Sequence, residues 1–105
     1  MIKVVNQKDE NLDVNVIYKI SRPSVLGNIW KIGVDGSRDE VIEKYRRTLW
    51  QCIEDREAGV MEGLETILKL EKEYDKIGLA CYCKPLRCHG DIILNCITWM
   101  KANKF

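Results

Sequence analysis

The stretch Ile77-Gly-Leu-Ala-Cys-Tyr-Cys83 is apolar on both faces of an extended chain. A strand with one solvated face would instead carry a polar residue at every second position. A short, continuous apolar run is typical of a strand inside a parallel sheet. We therefore expect residues 77–83 to form a buried central strand, with the rest of the chain arranged around it.

Patterned segments lie on both sides of this run. Residues 2–5 form a short, mostly apolar run and residues 14–20 alternate, which predicts two strands. Residues 37–58, 60–74 and 90–103 carry apolar side chains at helical spacing, and Ser37-Arg-Asp-Glu40 is typical of a capping box. The order predicts a small layered (Rossmann-like) α/β fold, with a short sheet and about three helices, as a single domain over residues 1–105.

Composition excludes several classes of protein. The 105 residues suffice for one domain, and the net charge of +1 gives no broad attraction to nucleic acid or to an anionic membrane. No segment reaches the roughly 18 apolar residues of a membrane span, and residues 1–10 lack the apolar region of a signal peptide. The five cysteines are odd in number and three of them are crowded together. We therefore expect a reduced, cytoplasmic protein.

Two irregular segments hold the specialised residues. Residues 21–36 include Pro23 and three glycines, and a loop this long in a small domain is more often functional than idle. Residues 81–91 contain three cysteines and the only histidine, between the predicted buried strand and the last helix. The carboxyl ends of parallel strands open onto the crevice where α/β folds bind ligands. We expect the two segments to meet in one pocket.

These residues resemble a known family. Arg22-Pro-Ser24, Gly27-Asn28 and the terminal Cys81-Tyr-Cys83-Lys-Pro-Leu-Arg-Cys88-His-Gly-Asp91 are similar to motifs of the family called domain of unknown function four-three-two-six, small proteins of bacteria and their phages. The similarity extends to Tyr18 and to Glu43-Lys-Tyr-Arg46, and so covers nearly the whole chain. Ser21 stands where the family usually has glycine, and Ile29-Trp30 stands where Pro-Phe is usual. Because the family has no settled activity, the resemblance implies a fold more than a function.

A zinc site is one interpretation of the terminal motif. Cys81, Cys83, Cys88 and His89 are ligand types that zinc prefers. Zinc knuckles, however, place two to four residues between paired cysteines. After a turn at Pro85, Cys88 and His89 would also both have to reach the same ion. We expect no cofactor and no tightly bound metal, with a small zinc-binding domain as an alternative.

Nucleophilic catalysis is a second interpretation. Cys88 lies at a predicted helix start between Arg87 and His89, an electropositive setting that favours a thiolate. Cys88 as nucleophile and His89 as acid or base are the candidate catalytic residues. Cys81 and Cys83 are better interpreted as small apolar residues that pack a crowded strand end.

Anion binding is the interpretation that we favour. Hydrogen-bond donors are concentrated in the two irregular segments, and glycines there let the backbone approach a ligand closely. Trp30 is placed to stack on a ring, although core packing competes with that role. The candidate ligand-binding residues are Arg22, Ser24, Gly27, Asn28, Cys83, Lys84, Arg87, Gly90 and Asp91.

The predicted function is therefore to bind or process a phosphate-bearing small molecule, such as a nucleotide derivative. We expect no membrane partner. Sequence-specific nucleic acid is disfavoured because Lys44, Arg46 and Arg47 share their helix with acidic residues. A phage-type protein-interaction module, whose cysteine and histidine motif only shapes the fold, is the alternative from a different class.

Overall fold

A computed structural model describes residues 1–9, 13–84 and 86–103. Its elements follow the predicted order, and the α/β class with a short sheet and three helices is confirmed. They are β1 (Ile2–Asn6), β2 (Val16–Lys19), α1 (Arg38–Glu54), α2 (Ala58–Glu73), β3 (Ile77–Cys81) and α3 (His89–Ala102).

The described strands form one parallel sheet in the order β1-β3-β2. Ile2 of β1 and Val16 of β2 both pair with Ile77, so the two strands flank β3 in matching register. All five residues of β3 are buried. The prediction of a buried central strand is confirmed. Its residues are apolar on both faces because β3 has a strand on each side and side chains packed above and below it.

The main core lies on one face of the sheet. Ile77, Leu79 and Cys81 point to that face and join the buried side chains of all three helices. Helix α3 packs directly on β1 and β3, and α1 packs on α3 and α2. No helix in the described ranges is long and apolar enough to cross a membrane.

Helix α3 approaches the sheet most closely at Gly90. A Cβ atom added there would lie 2.8 Å from Ile20 Cδ1 and 2.8 Å from Val4 Cγ1. Ordinary carbon contacts are about 3.5–4.0 Å. The absence of a side chain therefore lets the amino end of α3 rest on β1 and on the residue that follows β2.

The helix boundaries follow from local capping. Glu40 N–H donates to Ser37 Oγ at 3.3 Å and Ser37 N–H donates to Glu40 Oε1 at 3.0 Å, which confirms the predicted capping box. The first helix ends at Glu54, before the predicted end near Gly59. Arg56 adopts a left-handed φ of 52°, and Glu57 accepts hydrogen bonds from the amides of Gly59 and Val60. Gly59 therefore belongs to the first turn of α2.

The predicted strand over residues 77–83 is two residues too long. Beyond Cys81 the neighbouring strands have ended: Gln7 N–H donates to the Cys81 carbonyl at 2.6 Å, and Ile20 N–H donates to the Ala80 carbonyl at 3.0 Å. Cys81 and Cys83 therefore do not share a strand face as predicted, and Cys83 is only half-buried. Pro85, the predicted turn, lies outside the described residues.

Candidate functional site

A pocket of about 420 Å³ lies where the two irregular segments meet, beyond the carboxyl end of β3. Its volume is within the range of small-molecule sites. Residues 21–42 form one side and residues 81–89 form the other. Among its lining residues are six of the predicted site residues: Arg22, Asn28, Cys83, Arg87, Cys88 and His89.

Positive charge dominates the described lining. It contains Arg22, Lys31, Arg38 and Arg87, and no carboxylate. Arg22 Nη1 donates to the Asn28 carbonyl at 2.7 Å, and Arg38 Nη1 donates to the Arg87 carbonyl at 2.9 Å, which joins the two sides. A guanidinium has five N–H donors, so each of these bonds leaves donors for a ligand.

Part of this charge is already balanced. Arg87 Nη1 lies 3.1 Å from the Asp39 carboxylate, and both side chains are more than half exposed. In contrast, no ion pair within the described ranges involves Arg22, Lys31 or Arg38. These three side chains therefore carry the least compensated charge at the pocket.

Two aromatic residues also line the pocket. Trp30 is held by its backbone amide, which donates to Asn28 Oδ1 at 2.9 Å, and Lys44 lies 5.2 Å from the centre of its ring. Trp30 Nε1 is buried and has no hydrogen-bond partner among the described residues. Tyr82, on the opposite side, is 54% exposed. A buried N–H without an acceptor is costly, so the Trp30 side chain is held here by packing at the expense of one unmade hydrogen bond.

His89 is fixed by the fold. Its Nε2 lies 2.7 Å from the Ile20 carbonyl oxygen, which can only accept, so Nε2 carries the proton and Nδ1 keeps the lone pair. Tyr45 packs edge-on against the imidazole at a centroid distance of 5.0 Å. Burial lowers the pKa of His89 below its ordinary value, with part of the effect offset by the Ile20 hydrogen bond. The ring is therefore neutral at pH 7.

Cys88 is the N-cap of α3. Its Sγ accepts from Gly90 N–H at 3.3 Å, and its own amide donates to Asp91 Oδ2 at 3.2 Å. This is a capping box with a thiol in the place usually held by a hydroxyl. Cys81 Sγ lies 3.3 Å from Cys88 Sγ, and both side chains are buried in the pocket wall. The pocket thus has a pair of contacting thiols.

Five predicted ligand-binding residues lie outside the pocket lining, and their described contacts are internal. Ser24 Oγ accepts from Leu26 N–H at 3.3 Å, and Lys84 Nζ pairs with Asp91 Oδ1 at 2.9 Å. Gly27 and Gly90 are sites of close packing, against the Arg22 backbone and the sheet respectively. These contacts shape the two segments, and direct ligand binding by Ser24, Gly27, Lys84, Gly90 and Asp91 stays a prediction.

The cysteine and histidine motif is not gathered around one point. No group of three or more His, Cys, Asp or Glu side chains in the described ranges is arranged to hold a metal ion. The Ile20 carbonyl already engages His89 Nε2, and the Cys88 thiol faces Cys81. The thiol pair, not a four-ligand cluster, is the chemical feature of this segment.

Comparison with known proteins identifies the family of this chain. The sequence profile of the family described as "Domain of unknown function (DUF4326)" matches residues 2–99. The chain belongs to the DUF4326 family. It is also 31% identical, over an alignment of 106 positions, to a protein of Enterobacteria phage T4, described as "Uncharacterized 12.4 kDa protein in nrdA-td intergenic region". That alignment covers 100% of this chain and 85% of the phage protein. No solved structure matches the chain.

Several lining residues of this DUF4326 chain escaped the sequence analysis. Lys31 lies within the loop and Arg38 is the first residue of α1, and in the sequence both look like ordinary surface cations. Cys81 was considered only as a zinc ligand or as a packing residue at a strand end. One sequence feature could have pointed to Arg38 as a pocket residue: it directly follows the Ser37 cap, so its side chain starts close to the loop. Tyr82 directly follows the last residue of β3 and had no such signal.

Proposed function

We propose that the pocket binds a phosphate-bearing small molecule of the nucleotide class. The observation that carries this proposal is a lining with four cationic side chains and no carboxylate among the described residues. Arginine binds phosphate through paired N–H donors, and the low polarity of a pocket strengthens such contacts. Since the chain as a whole has a net charge of only +1, this local excess is a property of the site.

The remainder of the lining suits the other half of such a ligand. Trp30 and Tyr82 provide ring surfaces, and Val41 and Ile42 add apolar area. A planar base that stacks on an aromatic face and contacts this apolar area would use these features.

The geometry favours binding over turnover. His89 Nε2 donates to the Ile20 carbonyl, and Cys88 Sγ accepts from the first turn of α3, so both groups already have structural partners. A processing reaction with Cys88 as nucleophile and His89 as acid or base stays a prediction. The Cys88→Ser variant separates the two forms of the proposal, since a binder keeps its affinity and an enzyme loses its activity.

Titration calorimetry with nucleoside mono-, di- and triphosphates, the parent nucleosides and inorganic phosphate tests the proposal. We expect a nucleotide to bind more tightly than its nucleoside. Arg22→Gln should weaken binding by about 10- to 100-fold, which corresponds to the roughly 1.5–3 kcal/mol of a charged hydrogen bond. Arg46→Gln is the matched control, because Arg46 pairs with Glu43 on α1 and does not line the pocket.

Two results would contradict this function. One is the absence of heat for every nucleotide at millimolar concentration, and the other is equal affinity in Arg22→Gln and the parent chain.

The exposed apolar residues of the pocket suit a different function. Ile32 and Val34 line the pocket and are 48% and 78% exposed. Recovery of a protein partner that Val34→Asp releases, together with no nucleotide binding, would instead identify an interaction module.

A further inference from the structure

The Cys81 and Cys88 thiols are placed for chemistry with each other. Their sulfurs are 3.3 Å apart, and a disulfide bond needs a separation of about 2.05 Å. The remaining approach, a little over 1 Å, is a movement that side-chain rotation supplies. Cys81 ends β3 and Cys88 caps α3, so the two sulfurs are held by rigid elements on either side of a short loop.

We propose that Cys81 and Cys88 form a hydroperoxide-reactive dithiol in the wall of the pocket and oxidise to an intramolecular disulfide. Both residues line the pocket but are only 1% and 2% exposed. A reagent must therefore be small to reach them, which favours a hydroperoxide over a bulky disulfide. This proposal is independent of nucleotide binding.

Cys81 is the sulfur that attacks. The hydrogen bond from the Cys88 thiol lowers the pKa of Cys81 to about 6, and backbone N–H groups of Cys83 and Lys84 add to the effect. The same hydrogen bond raises the pKa of Cys88, as does burial. The two shifts favour the thiolate on Cys81 and the proton on Cys88, whose sulfur lies 3.3 Å away and can donate that proton.

The reaction balances within the pair and one peroxide. The Cys81 thiolate attacks a peroxide oxygen, the O–O bond breaks, and the leaving oxygen takes the Cys88 proton to form water. Cys81 is then a sulfenic acid and Cys88 a thiolate. Cys88 attacks Cys81 Sγ, the S–O bond breaks, and the released hydroxide takes up the proton lost when Cys81 ionised. Two thiols lose two electrons to hydrogen peroxide and give a disulfide and two waters.

Two of the three remaining cysteines serve as internal controls. Cys96 is buried in α3, where burial raises the pKa of its thiol to about 12. Burial likewise raises the pKa of Cys52 on α1. Neither sulfur is a thiolate at neutral pH, so both should stay reduced while the pair reacts.

The test is one molar equivalent of hydrogen peroxide on the reduced full chain at pH 7. The chain is then denatured and labelled with N-ethylmaleimide, and the adducts are mapped by mass spectrometry. We expect two fewer adducts than in the untreated chain, with a peptide cross-link between Cys81 and Cys88. Cys88→Ser should instead trap sulfenic acid at Cys81, visible as a dimedone adduct, and Cys96→Ser should behave like the parent.

The rate provides a second measurement that needs no variant. Cross-linking in the folded chain should be at least about tenfold faster than in the same chain in urea, because the folded chain holds the two sulfurs 3.3 Å apart. Retention of all five maleimide adducts, a cross-link through Cys83 in place of Cys81 or Cys88, or equal rates in urea and in buffer would overturn the proposal.

Discussion

Asp91 holds together the segment that forms one side of the pocket. Its Oδ2 accepts from the Cys88 amide at 3.2 Å, and its Oδ1 pairs with Lys84 Nζ at 2.9 Å. The Lys84 and Asp91 side chains are only 28% and 33% exposed, so water screens this pair less than a surface pair. The substitution Asp91→Asn keeps the shape of the side chain and removes its charge.

The expected cost of Asp91→Asn follows from these two contacts. Capping interactions contribute about 0.5–2 kcal/mol, and a partly shielded ion pair adds about 1 kcal/mol at most. The amide oxygen of asparagine can still accept one bond, so the free energy of unfolding should fall by about 1–2 kcal/mol. For a domain of this size that corresponds to a decrease in Tm of roughly 4–12 °C.

Asp39→Asn is the matched control. Asp39 also lies in a first helical turn and also pairs with a cationic side chain, that of Arg87, but the Asp39 and Arg87 side chains are 81% and 55% exposed. Exposed pairs contribute little, so this variant should lose less than about 0.5 kcal/mol. Thermal unfolding followed by circular dichroism measures both variants. A Tm for Asp91→Asn within 1 °C of the parent, or equal losses in the two variants, would refute the reasoning.

Two further predictions concern the same end of α3. Gly90→Ala should lower the free energy of unfolding by about 1–2 kcal/mol, because the cost of overpacking against the sheet exceeds the gain in helix propensity of about 1 kcal/mol. The control is Asn95→Ala at an exposed position of the same helix, which should be neutral or stabilising. If Gly90→Ala is as stable as the parent chain in urea unfolding, the close approach of α3 to the sheet is contradicted. The pKa of His89 is lowered in the folded state, so as the pH falls the unfolded chain takes up a proton at this residue before the folded chain does. The contribution of His89 to the free energy of unfolding should therefore be fully present above about pH 6.5. Below that pH the free energy of unfolding should fall by up to about 1.4 kcal/mol per pH unit. His89→Gln should remove that decline between pH 6.5 and 5, and an identical pH dependence in both chains would show that the imidazole is not responsible.

The fold was predictable to the extent that patterns are local. An apolar run without alternation indicated an inner strand, and the Ser37 capping box fixed the start of α1. The strand order β1-β3-β2 was not predictable, because periodicity gives the face of a residue but not its neighbour. The end of β3 depended on where its neighbours stop, at Gln7 and Ile20, which lie far away in sequence.

The site was predictable as a meeting of two segments, but not in its chemistry. Arg22 and His89 were expected near each other, and both line the pocket. The contact of Cys81 with Cys88 was not foreseen, because it joins a strand end to a helix cap across a loop whose path the spacing does not determine. Lys31 and Arg38 become candidate site residues only in the folded chain, where both line the pocket.

The position of β3 between β1 and β2 also constrains how the chain acquires its structure. The two amino-terminal strands do not pair with each other, and the register joins Ile2 and Val16 to Ile77. A polypeptide growing from its amino end therefore holds both strands without their pairing partner until β3, at residues 77–81, has been made. Sheet formation must then close long loops in one late event, which makes folding slow for a chain of this size. During synthesis, the helices between the strands can form first, and the sheet assembles last as a single cooperative unit.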